Sequence, residues 1–307
     1  MSTNQLQINR GTMKLKRRKD MMWALFFILP SFAGFAVFVI FPVISSFLLG
    51  FTRWTLLSGF SGIKFVGLRN FIRLFEDGSF LSSLRNNLIY TGVTVPASII
   101  IGLVLAVLIN DWCYGKNAIK VSLFIPYISS IVAVSIVWMF LLHPSKGPVN
   151  QFLRSVGVTD PPGWFVDMDW ALLSIIMLSV WKDIGYTVLI YIAGLNAINP
   201  SLYEAAKIDG ATPIQEFFRI TIPMVSPTTV FLITITTIGS FRVFDQIRVI
   251  TEGSPGNATN VLAYYIYETA FTQYRMGYAS SIAWVLFIII FGLTVVTRKL
   301  QKSVVYE

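Results

Sequence analysis

Six apolar runs, each long enough to cross a lipid bilayer, constrain this chain more than any other feature of its sequence. A helix needs about 20 apolar residues to span roughly 30 Å of hydrocarbon. The runs are 22–42, 86–110, 119–142, 170–194, 228–250 and 279–297. Backbone amides in hydrocarbon must bond within their own segment, so each run is predicted to be a transmembrane helix. The expected fold class is therefore an all-α polytopic membrane protein with six spans.

Composition agrees with this prediction and excludes several kinds of site. Of the 307 residues, 55% are hydrophobic and 13% are charged, whereas soluble domains carry about 25% charged residues. The single cysteine, Cys113, and the single histidine, His143, exclude a disulfide framework and a Cys/His metal cluster. The sequence has no G-x-x-x-x-G-K-[ST] pattern, so we expect no bound nucleotide, metal or other cofactor in this chain.

The two ends of the chain are predicted to be cytosolic. The run 22–42 is too long for a signal peptide and lacks a clear cleavage site, so we interpret it as a retained first span. Residues 1–20 form a basic cytosolic tail, and 301–307 form a second, short cytosolic tail. The region between them, 21–300, is predicted to be one six-span membrane domain without an internal repeat.

The charges of the loops favour this orientation. With the N-terminus inside, lysines and arginines are more frequent in the inner segments than in the outer ones, and they are densest just before the first span. The formal net charge of +9 is explained by these loops, so nucleic acid is not an expected partner.

A charged segment at 200–223 interrupts the apolar pattern between the fourth and fifth runs. Residues 201–204 (SLYE) predict a capping box, and residues 212–215 (TPIQ) predict a second one with proline at the first helical position. Gly210 is expected to end the first helix with a positive φ, and Pro223 is expected to limit the second. The segment is therefore predicted to be a helix, a glycine turn and a helix.

The order of residues in this segment resembles the EAA motif of ABC-importer permeases. Glu204-Ala205-Ala206 is followed after three residues by Gly210 and after nine more by Ile220-Thr221-Ile222-Pro223; the family usually has leucine at the position of Ile222. The resemblance implies a cytoplasmic coupling helix that docks into a groove on a separate ATPase. On local physics alone, Glu204 could be no more than a helix cap. The candidate ATPase-coupling residues are Glu204, Ala205, Ala206, Asp209, Gly210, Ile214 and Phe217.

Other stretches are similar to carbohydrate-importer permeases. They are Gly67–Phe71 (GLRNF), Tyr191–Leu195 (YIAGL), the pair Phe244-Asp245 and, more loosely, Thr251–Pro255 (TEGSP). The resemblance covers roughly residues 20–300 and is strongest from Trp181 to Phe287. It implies the type I ABC importer permease fold of the maltose/glycerol-phosphate class, with the coupling loop at 200–223.

That resemblance also implies partners and a location. The expected partners are a second, homologous permease subunit in a heterodimer, two copies of an ABC ATPase that binds ATP and Mg²⁺, an extracytoplasmic solute-binding protein and a sugar substrate. The expected location is the cytoplasmic (inner) membrane of a bacterium or archaeon, in contact with its lipid bilayer.

Charged residues inside the predicted spans indicate where a pathway would run, because each costs about 2.5–3.5 kcal/mol at membrane depth. Lys182 and Asp183 lie in the fourth run, and Arg242, Asp245 and Arg248 lie at spacings of three in the fifth, where they could pair along one helical face. Such residues form either a structural ion-pair ladder or the wall of a polar pathway. The candidate substrate-pathway residues are Trp181, Asp183, Tyr186, Phe241, Arg242, Asp245 and Gln246.

Three alternatives stay open at this point. Arg242, Arg248 and the outer arginines would also suit an anionic or phosphorylated solute, such as an acidic saccharide or glycerol phosphate. An ion-coupled secondary transporter would need paired broken spans around Lys182 and Asp183, and no such pair is evident. A membrane enzyme is disfavoured by the lone histidine and cysteine and by the lack of an acid/base cluster on a loop.

Overall fold

The computed structural model describes residues 21–112 and 115–305, and this part of the chain is almost entirely helical. A short antiparallel hairpin pairs β1 (Thr52–Arg53) with β2 (Lys64–Phe65), with Thr52 opposite Phe65. The helices are α1 (Met21–Gly50), α2 (Arg69–Leu74), α3 (Gly78–Trp112), α4 (Lys116–Ile128), α5 (Ile131–Leu141), α6 (Pro148–Ser155), α7 (Ala171–Asn196), α8 (Pro200–Ile208), α9 (213–224), α10 (Ser226–Phe241), α11 (Asp245–Ile250), α12 (Leu262–Tyr267) and α13 (Met276–Val305).

Within the described residues, five helical stretches are long and apolar enough to cross a membrane, and a bent pair makes a sixth. The five are α1, α3, α7, α10 together with α11, and α13; the bent pair is α4 with α5. The predicted fold class is confirmed. The predicted tail 1–20 lies outside the described residues. At the other end α13 runs through most of the predicted tail, to Val305, and 306–307 lie outside the described residues.

The third span is broken, whereas the sequence predicted one continuous helix over 119–142. Helices α4 and α5 meet at an angle of 97°. Ser129 and Ser130 are extended at the break, with ψ of 147° and 126°. Pro126 lies just before it and cannot donate a backbone hydrogen bond, which weakens the end of α4. The break leaves the carbonyl of Tyr127 available to another helix, since this carbonyl accepts a hydrogen bond from Lys182 Nζ at 2.7 Å.

The fifth span is also interrupted, and this corrects the prediction of a shared charged face. Helix α10 ends at Phe241, and α11 begins at Asp245. Arg242 therefore lies on the connection rather than on the helical face that carries Asp245. Arg248 pairs with Glu252 at 2.5 Å instead, and Asp245 forms no ion pair within the described residues.

Helices α3 and α7 pack along each other at the centre of the bundle. Gly185 permits the close approach of α4 to α7, because a Cβ at this position would lie 1.9 Å from the Leu123 carbonyl oxygen. In contrast, α1 lies outside this core. The ring centroids of its Phe47 and of Trp284 on α13 are 4.7 Å apart, and none of its most apolar stretch is buried.

Candidate functional site

The charged hairpin at 200–223 begins differently from the prediction. Asn199 caps α8, and its side-chain oxygen accepts a hydrogen bond from the Ser201 amide at 3.1 Å. The predicted capping box between Ser201 and Glu204 is wrong, because Pro200 takes the first helical position and shifts the cap to the residue before it. Glu204 is exposed and is not the cap of this helix.

The glycine turn and the second start signal are confirmed. Gly210 has a φ of +77°, and no heavy atom lies within 4 Å of the place where a Cβ would stand. The amide of Ala211 bonds the carbonyl of Ala206 at 2.9 Å and closes the end of α8. Thr212 and Gln215 form the predicted reciprocal capping box, with Thr212 N donating to Gln215 Oε1 at 2.8 Å.

Pro223 does not end the second helix, contrary to the prediction. Helix α9 contains a π turn at Phe217–Thr221 and continues through Ile222–Met224 to α10 with only Val225 between them. A π turn shifts the hydrogen-bond register by one residue, so the helix passes the proline, which has no N–H to donate. The hairpin is therefore joined directly to the fifth span.

The outward surface of the hairpin is apolar as well as charged. Ile208 is 87% exposed, Ile214 is 72% exposed and Phe218 is 62% exposed. Glu204, Ala205, Asp209 and Gly210 are also exposed, whereas Ala206 and Phe217 are half-buried. Phe218, not Phe217, thus extends the exposed apolar surface. An apolar patch of this kind on a charged loop is typical of a protein–protein contact.

A cavity of about 620 Å³ lies between this hairpin and the adjacent ends of α3 and α7. Phe217 lines it, together with Tyr203 and Thr221. The Tyr203 hydroxyl and Thr221 Oγ1 lie 3.0 Å apart and connect α8 to α9. This hydrogen bond holds the two short helices against each other.

A second cavity, of about 410 Å³, lies among the spans. Its wall combines hydroxyls, amides, charges and tyrosine rings from α3, α4, α7, α10 and α11. The polar and aromatic residues that line it are Tyr90, Thr94, Ser98, Tyr127, Ser179, Lys182, Asp183, Tyr186, Thr236, Ser240, Arg242, Phe244, Asp245 and Gln246.

Hydrogen bonds and ring contacts fix one side of this cavity. Gln246 Nε2 donates to Ser179 Oγ at 3.0 Å, and Lys182 Nζ donates to the Tyr127 carbonyl. The rings of Tyr127 and Tyr186 stack with centroids 5.0 Å apart and an interplanar angle of 18°. The cavity therefore offers both flat aromatic faces and fixed polar groups, which is what a ring with several hydroxyl groups requires.

Two buried hydroxyls in the cavity wall are without protein partners. Within the described residues, Thr94 Oγ1 and Ser98 Oγ make no hydrogen bond. Buried polar atoms are normally paired; both oxygens are packed against protein atoms with almost no accessible surface, so they do not face the open space of the cavity.

Most of the predicted pathway residues meet in this cavity. Asp183, Tyr186, Arg242, Asp245 and Gln246 all line it.

The two other predicted residues lie elsewhere. The Trp181 ring is 5.7 Å from that of Trp138, and Phe241 is 1% exposed in a separate core cluster with Leu74 and Phe80. Phe241 is a buried packing residue, whereas Trp181 is 44% exposed, and neither lines the cavity.

The sequence prediction missed the contribution of α3. Tyr90, Thr94 and Ser98 carry no charge, and polar residues of this kind occur in many spans. Their spacing of four residues was the available signal, because it places all three on one face of a helix.

Comparison with known proteins finds membrane components of transport systems. A family model described as binding-protein-dependent transport system inner membrane component matches residues 75–305. The lactose transport system permease protein LacF of Rhizobium radiobacter is 35% identical over 284 residues, which are 90% of this chain and 92% of LacF.

Two further similarities concern acidic or phosphorylated compounds. The sn-glycerol-3-phosphate transport system permease protein UgpA of Yersinia enterocolitica is 32% identical over 290 residues, or 91% of this chain and 94% of UgpA. A solved structure of a bacterial alginate ABC transporter, in complex with an alginate pentasaccharide-bound periplasmic protein, is similar with a TM-score of 0.81 and 25% identity. This similarity covers 95% of this chain and 97% of the solved one.

Proposed function

This chain belongs to the family of binding-protein-dependent transport system inner membrane components, and we propose that it forms half of the translocation pathway of an ATP-driven sugar importer. The observation that carries the proposal is the direct connection between the exposed hairpin and the cavity. Helix α9 of the hairpin leads into α10, whose Thr236 and Ser240 line the cavity. Movement of the hairpin would therefore change the shape of the cavity.

The cavity suits a sugar by its chemistry. The stacked Tyr127 and Tyr186 can cover the C–H face of a pyranose ring. Gln246 and Asp245 in the cavity wall can bond its hydroxyls. LacF and the alginate transporter are named for saccharides, which supports the same substrate class here.

An anionic or phosphorylated solute is the second candidate, and one observation favours it. Arg242 lines the cavity without an ion-pair partner among the described residues. UgpA is named for glycerol phosphate and the alginate transporter for an acidic polysaccharide. Uptake of a labelled neutral disaccharide, in competition with its uronic-acid counterpart and with glycerol phosphate, separates the two candidates.

The complete transporter in this proposal contains further subunits. A second, related permease closes the other half of the pathway, and two ATPase copies bind ATP and Mg²⁺ and receive the two coupling hairpins. A solute-binding protein delivers the substrate from outside. This chain itself performs no chemical reaction and holds no cofactor.

The proposed orientation places the hairpin and both termini in the cytosol. A Glu204→Cys variant in a Cys113→Ser background gives a single reactive site on the exposed hairpin. We expect a membrane-impermeant maleimide to leave this site unlabelled in intact cells and to label it after permeabilisation. Labelling in intact cells would reverse the assigned orientation.

Transport itself is tested with the purified complex in vesicles. We expect uptake of the sugar that the solute-binding protein carries. This uptake should occur only when ATP is on the side of the hairpin and the solute-binding protein is on the other side. Uptake driven by a sodium or proton gradient without ATP would instead establish the ion-coupled secondary transporter.

A further inference from the structure

A third cavity, of about 440 Å³, lies at the end of the bundle opposite the hairpin. The end of α1, the β1–β2 hairpin, α2 and the start of α13 surround it. Four arginines line it, and no carboxylate does; they are Arg53, Arg69, Arg73 and Arg275. Among the described residues, none of the four lies within ion-pair distance of an acidic side chain. The cavity is therefore a concentrated positive charge without a counter-charge in its wall.

Two of these arginines are held in place by an aromatic ring. The guanidinium carbons of Arg73 and Arg275 lie 5.7 and 4.4 Å from the centroid of the Tyr278 ring. A guanidinium that lies over a ring keeps its N–H donors free for oxygen acceptors in the plane of the guanidinium. Such an arrangement suits an anion with several oxygens, above all a phosphate.

The other parts of the wall are rigid. Asn70 Nδ2 donates to the carbonyls of Gly50 and Thr52, both at 2.9 Å, and so ties α2 to the end of α1. The Tyr278 hydroxyl donates to Asp77 Oδ2 at 2.6 Å, and Tyr265 donates to the same carboxylate oxygen at 2.7 Å. Burial raises the pKa of Asp77, but these two hydrogen bonds and two backbone amides outweigh it and lower the pKa below its usual value. Asp77 is thus ionised and fully engaged, and it orients Tyr278.

Large apolar side chains lie on the same chain segments as the cavity arginines. They are largely exposed on the β1–β2 hairpin and on α2, and they continue the lipid-facing surface of α1: Leu57, Phe60, Phe65, Leu68, Ile72 and Phe75. Exposure of these side chains to water would cost about 25 cal/mol of free energy for each Å² of apolar surface. Arginines beside exposed aromatic and aliphatic side chains are typical of a segment that lies at the level of lipid headgroups.

We propose that this cavity binds the headgroup phosphate of an anionic phospholipid, with the acyl chains against the apolar side chains of the hairpin and α2. Under the proposed orientation the lipid belongs to the outer leaflet. A soluble anion or an acidic protein surface would satisfy the arginines but would leave Phe60, Phe65 and Phe75 in water. A phospholipid satisfies both parts of the site.

The test measures the thermal unfolding midpoint of the complete transporter in detergent micelles as phosphatidylglycerol is titrated in, with phosphatidylcholine as the reference lipid. We expect phosphatidylglycerol to raise the midpoint. The double variant Arg53→Gln/Arg69→Gln should need about 25-fold more phosphatidylglycerol for the same shift, since each arginine near a lipid phosphate contributes about fivefold.

Matched variants separate the cavity from general charge and from misfolding. Arg85→Gln removes an arginine from the same end of the bundle but outside the cavity. Its unfolding midpoint should respond to phosphatidylglycerol as that of the natural protein does. Arg73→Gln/Arg275→Gln should lose affinity, whereas Arg73→Lys/Arg275→Lys keeps the charge and should retain most of it. The side chains of Arg53 and Arg69 make no hydrogen bond within the described residues, and the backbone pairing of Arg53 and the backbone bond of Arg69 do not depend on the side chain, so we expect these variants to fold.

Three results would overturn the proposal. One is an equal response to phosphatidylglycerol and phosphatidylcholine. Another is an equal, arginine-dependent response to soluble glycerol phosphate, which makes the cavity a site for a free anion. The third is normal lipid affinity in the double variants together with lost binding of the purified solute-binding protein, which makes this surface a protein contact. ATP-driven uptake in phosphatidylcholine vesicles tests the transport function separately.

Discussion

The hairpin at 200–223 and the cavity of about 410 Å³ among the spans are both rich in polar residues, but the sequence determines them in different ways. The hairpin is built from signals that act within a few residues of one another: the Asn199 cap, the Gly210 turn and the Thr212 capping box. The cavity is built from side chains of several helices that are far apart in the sequence, and two of those helices must first break to supply them. A local element tolerates changes elsewhere, whereas the cavity depends on how the helices pack.

The largest effect should come from Gly185, where the cavity depends on packing. Gly185→Ala would place a methyl group 1.9 Å from the Leu123 carbonyl oxygen, and helix backbones cannot easily give way. We expect a loss of about 3 kcal/mol, at the upper end of overpacking effects, measured as the yield of folded, monodisperse complex. Gly239→Ala is the control, because Gly239 lines the cavity but has open space around it. Equal yields of the two variants would contradict this account.

Glu204 should give the next largest effect, because it is exposed and does not cap α8. Glu204→Gln should leave folding unchanged and weaken ATPase association by about 2 kcal/mol, the lower end of the range for a buried charge pair. Co-purification of the ATPase and the rate of uptake measure this loss. Asn199→Ala removes the actual cap and should cost about 1 kcal/mol of local stability with little loss of association. If the two variants behaved alike, Glu204 would have no role in docking.

Gly210 should give a smaller effect that is confined to the turn. Valine at a φ of +77° is strained by about 1 kcal/mol or more, although no neighbouring atom obstructs it. We expect Gly210→Val to insert normally but to slow transport and reduce stimulation of the ATPase. Gly210→Asn should be close to normal, because asparagine tolerates a positive φ. Normal transport by the valine variant would refute the turn's part in coupling.

The smallest effect should come from Asp245, which lines the cavity without an ion pair among the described residues. Asp245→Asn should leave the amount of assembled protein unchanged and alter uptake only a few-fold, with a changed preference between neutral and anionic solutes. Glu252→Gln serves as the control, since its pair with Arg248 is exposed and such pairs contribute about 0–1 kcal/mol. Reduced assembly of the asparagine variant would show that Asp245 has a structural role instead.

The sequence predicted the spans and the hairpin well, because length, apolarity and capping act locally. Three of its errors lie at prolines. Pro200 moved the cap from Ser201 to Asn199, and a π turn carried the helix past Pro223. The break after Pro126 was missed because a proline near a helix end is compatible with either a bent or a straight span. In each case the neighbouring hydrogen bonds, rather than the proline, decide the outcome.

The cavity was only partly predictable for a related reason. Charged and amide side chains are costly in a membrane, so a sequence reader can predict that they face a cavity or a partner. This applies to Asp183, Arg242, Asp245 and Gln246. Thr94 and similar small residues are not costly, since a hydroxyl can bond its own helix. Which of them face a cavity depends on the rotation of each helix in the bundle, and a single sequence does not define that rotation.

The position of α1 has a consequence for how the protein is made. Its main packing partner is α13, through Phe47 and Trp284, and these two helices are far apart in the sequence. At about 5–20 residues per second, synthesis separates them by roughly 10 to 50 seconds. During that time α1 must remain in the membrane with lipid on every side. Residues 21–50 contain no charged residue, so this helix is stable in lipid before α13 has been synthesised. The contact between α1 and α13 is therefore one of the last to form, after the central helices have already met.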